Sequence, residues 1–205
     1  MSIASEYVQQ LQATLDRLPI DRIHQVVDLL HQARMDGRNI FIMGNGGSAA
    51  TASHFVCDLA KNTRQVGKPH FKVIGLNDNL SILTALANDE GYENVFKQQL
   101  DNLLNVGDIV IAISASGNSL NVLRAIEFAA ASGAFTIGFT GYDGGKLGLM
   151  VDLNVNIKSD CIEQIEDIHL VLEHIIIKSL KALDILPVEE IHGELVPIHE
   201  SNVMH

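Results

Sequence analysis

Apolar residues recur at helical spacing from Tyr7 to about Met35, through Tyr7, Leu11 and Leu15 and then Ile23, Val27 and Leu30. Pro19 divides this stretch into two helices or one bent one, because proline lacks an amide N–H and its ring crowds the preceding turn. Gly37 is a stop signal. The pattern then changes. Asn39 to Met43 is apolar almost throughout, as a strand covered on both faces must be. Runs of the same character follow at Phe71–Leu76, Asp108–Ile113 and Ala134–Phe139, with a weaker one at Asp152–Ile157. Helical spacing lies between them, at roughly 48–62, 79–104 and 119–132, with a short turn near 144–149 and a long apolar helix from Ile162 to Leu183. Strands alternating with helices predict an α/β protein with a doubly wound, mainly parallel five-stranded sheet, helices on both faces and an N-terminal helical extension. The expected organisation is an extension over residues 1–36, one α/β domain over 37–186 and a tail over 187–205 that lacks periodicity after Pro187.

Composition narrows the function classes. Hydrophobic residues make up 47% and charged residues 19% of the 205, which is globular rather than disordered. The net charge of −11 argues against nucleic acid as a partner, since phosphate backbones call for clustered Lys and Arg. A small anion is still compatible, because it needs only a pocket of donors. Two cysteines, Cys57 and Cys161, make no disulfide framework, so a reducing compartment is expected. Glu6 and Asp16 lie in an N-terminus that does not read as a signal peptide. The apolar run Ile175–Ile177 is far too short to span a bilayer. The expectation is a cytoplasmic protein with no membrane partner.

In open α/β sheets, ligands bind beyond the carboxyl ends of the strands. Two loops in that position carry suitable chemistry. Gly44-Asn45-Gly46-Gly47-Ser48 follows the first strand; its glycines allow a sharp turn and close approach to a ligand, and Ser48 can cap the next helix. Ser114-Ala115-Ser116-Gly117-Asn118-Ser119 follows the third strand and sets hydroxyls, an amide and free N–H groups at a helix N-terminus, an anion site by geometry and dipole. Either loop alone also reads as a tight turn with capping serines. The first loop lacks the third glycine of a dinucleotide fingerprint and no G-K-[ST] occurs, so a nucleotide cofactor is not expected.

His54 and Asp58 are four residues apart and share one helix face. Glu166 and His174 lie on the long apolar helix, where a buried ionisable group is costly unless it is paired. Imidazole with carboxylate suits either general acid–base work or a zinc ion, and a structural ion pair is the bland alternative. Glu163, Asp167, His169 and Glu173 share the long helix, and their spacing assigns them no role. Cys57 reads as packing. His192, Glu194, His199, Glu200 and His205 read as a solvated tail.

Taken in order, the first loop with His54-Phe55, Ala87-Asn88-Asp89, the Ser114–Ser119 loop, Thr140-Gly141-Tyr142-Asp143-Gly144-Gly145 and Glu166-Asp167-Ile168-His169 resemble the phosphoheptose isomerases of the sugar isomerase (SIS) family, over about residues 5–184. The resemblance implies an SIS-type fold and aldose–ketose isomerisation of a sugar phosphate, sedoheptulose 7-phosphate above all. It implies a homotetramer with active sites at subunit interfaces. It implies phosphate held by Ser114, Ala115, Ser116 and Ser119, with Asn45, Gly46, Gly47, Ser48, Asp89 and Glu166 around the sugar. One zinc ion per site is implied at His54, Asp58, Glu166 and His174. For proton transfer between C1 and C2 through an enediol, Asp58 is assigned as the base and His174 as the acid. Three positions depart from the family pattern: Asp58 stands for Glu, Glu166 for Gln and Ala115 for a usual threonine. A non-catalytic SIS module that binds a sugar phosphate or another protein is the alternative. Isomerisation of a different sugar, such as a capsule or surface-polysaccharide precursor, is a further one.

Overall fold

The computed structural model describes residues 2–183. Expectations for the tail therefore lie outside the described residues. Two helices come first, α1 (Ile3–Leu15) and α2 (Ile20–Met35), broken at Pro19 as the sequence requires. The sheet consists of β1 (Asn39–Gly44), β2 (Lys72–Gly75), β3 (Ile109–Ser114), β4 (Phe135–Gly141) and β5 (Leu153–Ile157). Its order is β2-β1-β3-β4-β5, and every pairing is parallel. The connecting helices are α3 (Gly47–Cys57), α4 (Leu80–Glu90), α5 (Val95–Leu103), α6 (Leu120–Ala131) and α7 (Leu147–Met150), followed by the long α8 (Ile162–Leu183).

Alternate strand residues feed two cores. Ile40, Ile42, Ile111, Ile113, Ile137 and Phe139 face α2, α3 and α8. Phe41, Met43, Val110 and Ala112 face α5 and α6. With both faces covered, β1, β3 and β4 have no polar side, which is why they read as unbroken apolar runs, whereas the edge strand β5 alternates Leu153, Val155 and Ile157 with Asn154 and Asn156. The helical extension read from the sequence divides here: Ile23, Val26, Val27 and Leu30 of α2 belong to the sheet's own core, whereas Thr14 is the only buried residue of α1. Side-chain bonds tie α1 to α8 instead, from Tyr7 Oη to Asp167 Oδ2 (2.5 Å) and from Gln164 Nε2 to Gln10 Oε1 (3.0 Å).

Two helices expected to be continuous are not. The span 79–104 breaks at Gly91, whose φ of 87° is incompatible with a helix, and a 3₁₀ turn over Tyr92–Asn94 restarts the chain into α5. The span 48–62 ends in a π-turn over Asp58–Asn62. Such wide turns occur disproportionately at functional sites. Among the described residues, no helix is long and apolar enough to cross a membrane.

Candidate functional site

Strand order fixes where a ligand can enter. From β1 the chain steps outward one way to β2 and the other way to β3, so the loops after β1 and β3 diverge and leave a crevice between them. These are the two glycine- and serine-rich loops. Between them lies a cavity of about 150 Å³ lined by Asn45, Ser48, Ser114, Ala115, Ser116, Ser119 and Glu166, with Ile113 and Ile162. A larger cavity of about 460 Å³ lies away from the switch point, between α1 and the β5–α8 loop, and includes Arg17 and Lys158.

The backbone shapes this crevice. Gly46 sits at φ 56° and ψ −122°, where a side chain would clash with its own backbone, and this turns β1 into α3. A Cβ on Gly47 would lie 2.5 Å from Glu166 Oε1. The missing side chain thus lets the Glu166 carboxylate sit against the first residue of α3, where the helix dipole favours negative charge. Asn45 is held from three directions: its Nδ2 donates to Asn121 Oδ1 (2.8 Å), and its Oδ1 accepts from Asn121 Nδ2 (2.9 Å) and Tyr92 Oη (2.8 Å). In the second loop, Gly117 N–H donates to Ser114 O (3.0 Å), and Asn118 braces the loop through Ser116 O (2.8 Å). Ser119 occupies the N-cap of α6, but its hydroxyl makes no capping bond; the Val122 N–H donates to Asn121 Oδ1 (3.0 Å), which leaves the Leu120 and Asn121 N–H groups to face the cavity's mouth as anion donors. No Lys or Arg lines the cavity. An anion there would be held by hydroxyls, amides and N–H groups.

A second group of residues lies further along the same two helices. His54 and Asp58, from α3 and the π-turn, meet Glu173 and His174 of α8, and one ligand atom from each falls within 4.8 Å of all the others. His54 Nε2 is 3.8 Å from both Asp58 Oδ1 and Glu173 Oε1, and the two imidazole rings meet edge-on with centroids 5.2 Å apart. Asn62 Nδ2 donates to Asp58 Oδ1 at 2.6 Å, from the other end of the π-turn. Glu173 is fully buried, and neither of its carboxylate oxygens has a hydrogen-bond partner. Burial, and secondarily the neighbouring Asp58 charge, push its carboxyl up to about 8. Orphaned buried acid oxygens beside two imidazoles and a second carboxylate are the donor chemistry of a divalent cation site. The group fits a metal.

Of the residues singled out from the sequence, Asn45, Ser48, Ser114, Ala115, Ser116, Ser119 and Glu166 meet at the cavity, while His54, Asp58 and His174 meet at the acid–base group. Glu166 is not in that second group. Asp89 is exposed in the last turn of α4, accepts from Asn88 Nδ2 (2.7 Å) and does not line the cavity. Sequence reasoning gave no role to Glu173, Asn62, Asn121 or Tyr92. Glu173 carried a signal nonetheless: it stands on the stripe of Ile165, Ile168, Leu172, Ile176 and Ile177, and an acid on a buried apolar stripe needs a compensating partner.

The family model of the SIS domain matches residues 6–141. The chain is 38% identical to the phosphoheptose isomerase of Geotalea daltonii over 160 residues, 78% of this chain and 83% of that one. This chain belongs to the phosphoheptose isomerase family of SIS-domain proteins. It is likewise 38% identical to the phosphoheptose isomerase of Helicobacter hepaticus, over 85% of this chain and 89% of that one. Among solved structures, the phosphoheptose isomerase of Neisseria gonorrhoeae superposes with a TM-score of 0.81 at 29% identity, covering 88% of this chain and 97% of that chain. The family model takes in both loops together with His54 and Asp58, and ends before α8.

Proposed function

We propose that this chain is an aldose–ketose isomerase acting on sedoheptulose 7-phosphate and forming a heptose 7-phosphate through an enediol. The observation that carries the reading is the placement of two chemically distinct sites on the same pair of helices. Ser48 of α3 and Glu166 of α8 line the anion cavity, and His54 and Glu173 lie six and seven residues further along. At 1.5 Å per residue, the two sites are on the order of 10 Å apart. An extended sugar phosphate bridges such a gap, with its phosphate among Ser114, Ser116 and Ser119 and its carbonyl end at the imidazoles and carboxylates.

Asp58 takes the proton from the carbon beside the carbonyl, and His174 gives one to the carbonyl oxygen, forming the enediol. Asp58 then returns its proton to the former carbonyl carbon while the other enediol hydroxyl gives its proton back to His174, which forms the new carbonyl and restores both groups. Asn45, held rigid by Asn121 and Tyr92, orients the sugar hydroxyls. Residues of the acid–base group would hold one zinc ion, which when bound polarises the substrate oxygens. Incubating the purified protein with pentose, hexose and heptose phosphates, with metal content measured on the same sample, tests this. The expected result is interconversion of the heptose phosphates fastest. Conversion of none, in protein that binds no metal, leaves the binding-module reading.

We also infer a homotetramer with sites at subunit interfaces. Supporting this, α4 buries none of its residues within the chain, and Leu80 and Ile82 are 71% and 42% exposed on it. His54 and His174 are also exposed, so a neighbouring subunit could close over them. Light scattering is expected to give four times the chain mass. A monomer would remove the interfacial site from the proposal.

A further inference from the structure

We propose that the cavity between α1 and the β5–α8 loop is a second anion site, separate from the substrate crevice, and that it takes a small phosphate monoester with a hydroxylated body. At about 460 Å³ it has the size of a metabolite pocket and far exceeds a bare phosphate. Arg17, just past the end of α1, and Lys158, just past β5, stand on its walls, and Asp160 is the one acid among the lining residues. Arg17 Nε donates to Ala13 O (2.9 Å), which braces the guanidinium and leaves its two terminal nitrogens over. Among the described residues, neither those nitrogens nor Lys158 Nζ has a hydrogen-bond or ion-pair partner. Two unpaired cations against one acid give the cavity a local positive charge in a chain of net charge −11. The long-range field of that excess is screened within about 8 Å at physiological salt, so the local groups decide what enters. A guanidinium fork and an ammonium both donate to phosphate oxygens, and a doubly charged phosphate answers the pair. Asp160 repels a second anionic group and accepts from hydroxyls, which selects a hydroxylated body for the rest of the ligand.

The floor of the cavity is built in advance. Gln164 is 2% exposed; its Nε2 donates to Gln10 Oε1 (3.0 Å) and its Oε1 accepts from Ser159 Oγ (3.2 Å). Ser159 Oγ in turn accepts the Cys161 N–H (3.2 Å), and Gln10 Nε2 donates to Glu6 Oε1 (3.3 Å). A backbone N–H, which can only donate, stands at one end of this run and a carboxylate, which can only accept, at the other, so the direction of every bond is fixed. None of these groups is left to compete for Arg17 or Lys158, and a ligand need not rearrange them. The start of α8 sets the site beside the substrate crevice without sharing it. Cys161 and Gln164 line this cavity, whereas Ile162 and Glu166 line the crevice. At about 100° of rotation per residue, the two pairs face nearly opposite ways.

The probe is orthophosphate, titrated into the full-length protein at constant ionic strength and read as a rise in Tm. Ser116→Ala/Ser119→Ala silences the substrate crevice, and a phosphate response is expected to remain. In that background, Arg17→Gln/Lys158→Gln is expected to weaken phosphate binding by at least about tenfold, the scale of a lost charge-assisted contact. Both residues are exposed, so the fold is not at risk. Lys68→Gln/Lys181→Gln removes two exposed lysines elsewhere and is expected to leave the response within about twofold. Glucose 6-phosphate is expected to bind more tightly than orthophosphate and to lose that advantage in Asp160→Ala. No response once the crevice is silenced, an unaltered response in Arg17→Gln/Lys158→Gln, or an equal loss in Lys68→Gln/Lys181→Gln overturns the site. Equal affinity for the two probes overturns the hydroxylated ligand. These are binding readouts, so they hold in a protein that isomerises no sugar phosphate. Where it does, Arg17→Gln/Lys158→Gln alone is expected to leave turnover in phosphate-free buffer unchanged, and a fall would place the pair in the substrate site and overturn the separation.

Discussion

Asp58→Asn and His174→Ala are each expected to lower kcat for sugar-phosphate isomerisation by about 1,000-fold, the scale of a lost general base or acid. Neither change threatens the fold. Asn has the size of Asp and can still accept from Asn62 Nδ2 through its own Oδ1, so the π-turn keeps its 2.6 Å anchor. His174 is exposed, and the buried residues around it, Leu172, Ile176 and Ile177, carry the packing of α8. The kinetic loss therefore reports chemistry. Because both residues also belong to the metal-fitting group, metal content is measured on each variant. A fall in kcat with metal still bound assigns a proton-transfer role, and a fall with metal gone assigns a ligand role. Near-normal turnover in either variant removes that residue from the mechanism.

Stripped of divalent ions, the protein is expected to lose roughly 2 kcal/mol of stability between pH 6.5 and 8, at about 1.4 kcal/mol per pH unit for one proton. The source is Glu173, whose carboxyl is raised from 4.5 to about 8 in the fold, first by burial and then by Asp58. Between those values the unfolded chain has released its proton and the folded chain still holds it, so folding binds a proton and stability falls as pH rises. The contribution is complete below 4.5 and gone above about 8. His169 works in the opposite direction. Burial lowers it from 6.5 to about 4, so between those values stability rises with pH. Its Nε2 faces the Thr140 carbonyl at 3.2 Å, which requires a proton on that nitrogen in the neutral ring. The two slopes oppose each other between 4.5 and 6.5, which leaves 6.5 to 8 as the window where, of this pair, only Glu173 titrates. In chelator-treated protein, Tm is expected to drop by about 4–8 °C across that window. Glu173→Gln should flatten the profile, and so should added zinc. An unchanged Tm from pH 6.5 to 8 in the stripped wild type contradicts the buried-acid account.

Strands β1, β3 and β4 were legible because burial on both faces writes itself as unbroken apolar runs, and β1 begins at Asn39 where the composition changes. Both ligand loops were legible for the same reason, since Gly44–Ser48 and Ser114–Ser119 directly follow such runs. The His54–Asp58 pair was legible from helix periodicity. The break at Gly91 was not: Leu80, Leu83, Leu86 and Ala87 continue into Val95, Phe96 and Leu100 with one apolar rhythm, and only the positive φ of a single glycine interrupts it.

By itself, the sequence determined the local matters: which segments are strands or helices, which loops carry hydroxyls and glycines, and which imidazoles and acids share a helix face. These depend on neighbours within a few residues, and the chain records them as spacing. Only the tertiary structure decided that β1 and β3 lie side by side so their loops form one crevice, and that α8 crosses α3 two turns beyond Glu166. It thereby brought Glu173 to His54 and left Asp89 on an exposed face. Contacts between residues as far apart as Ile40 and Ile109, or His54 and Glu173, follow from strand order and helix crossing, and no short-range pattern of residues encodes either.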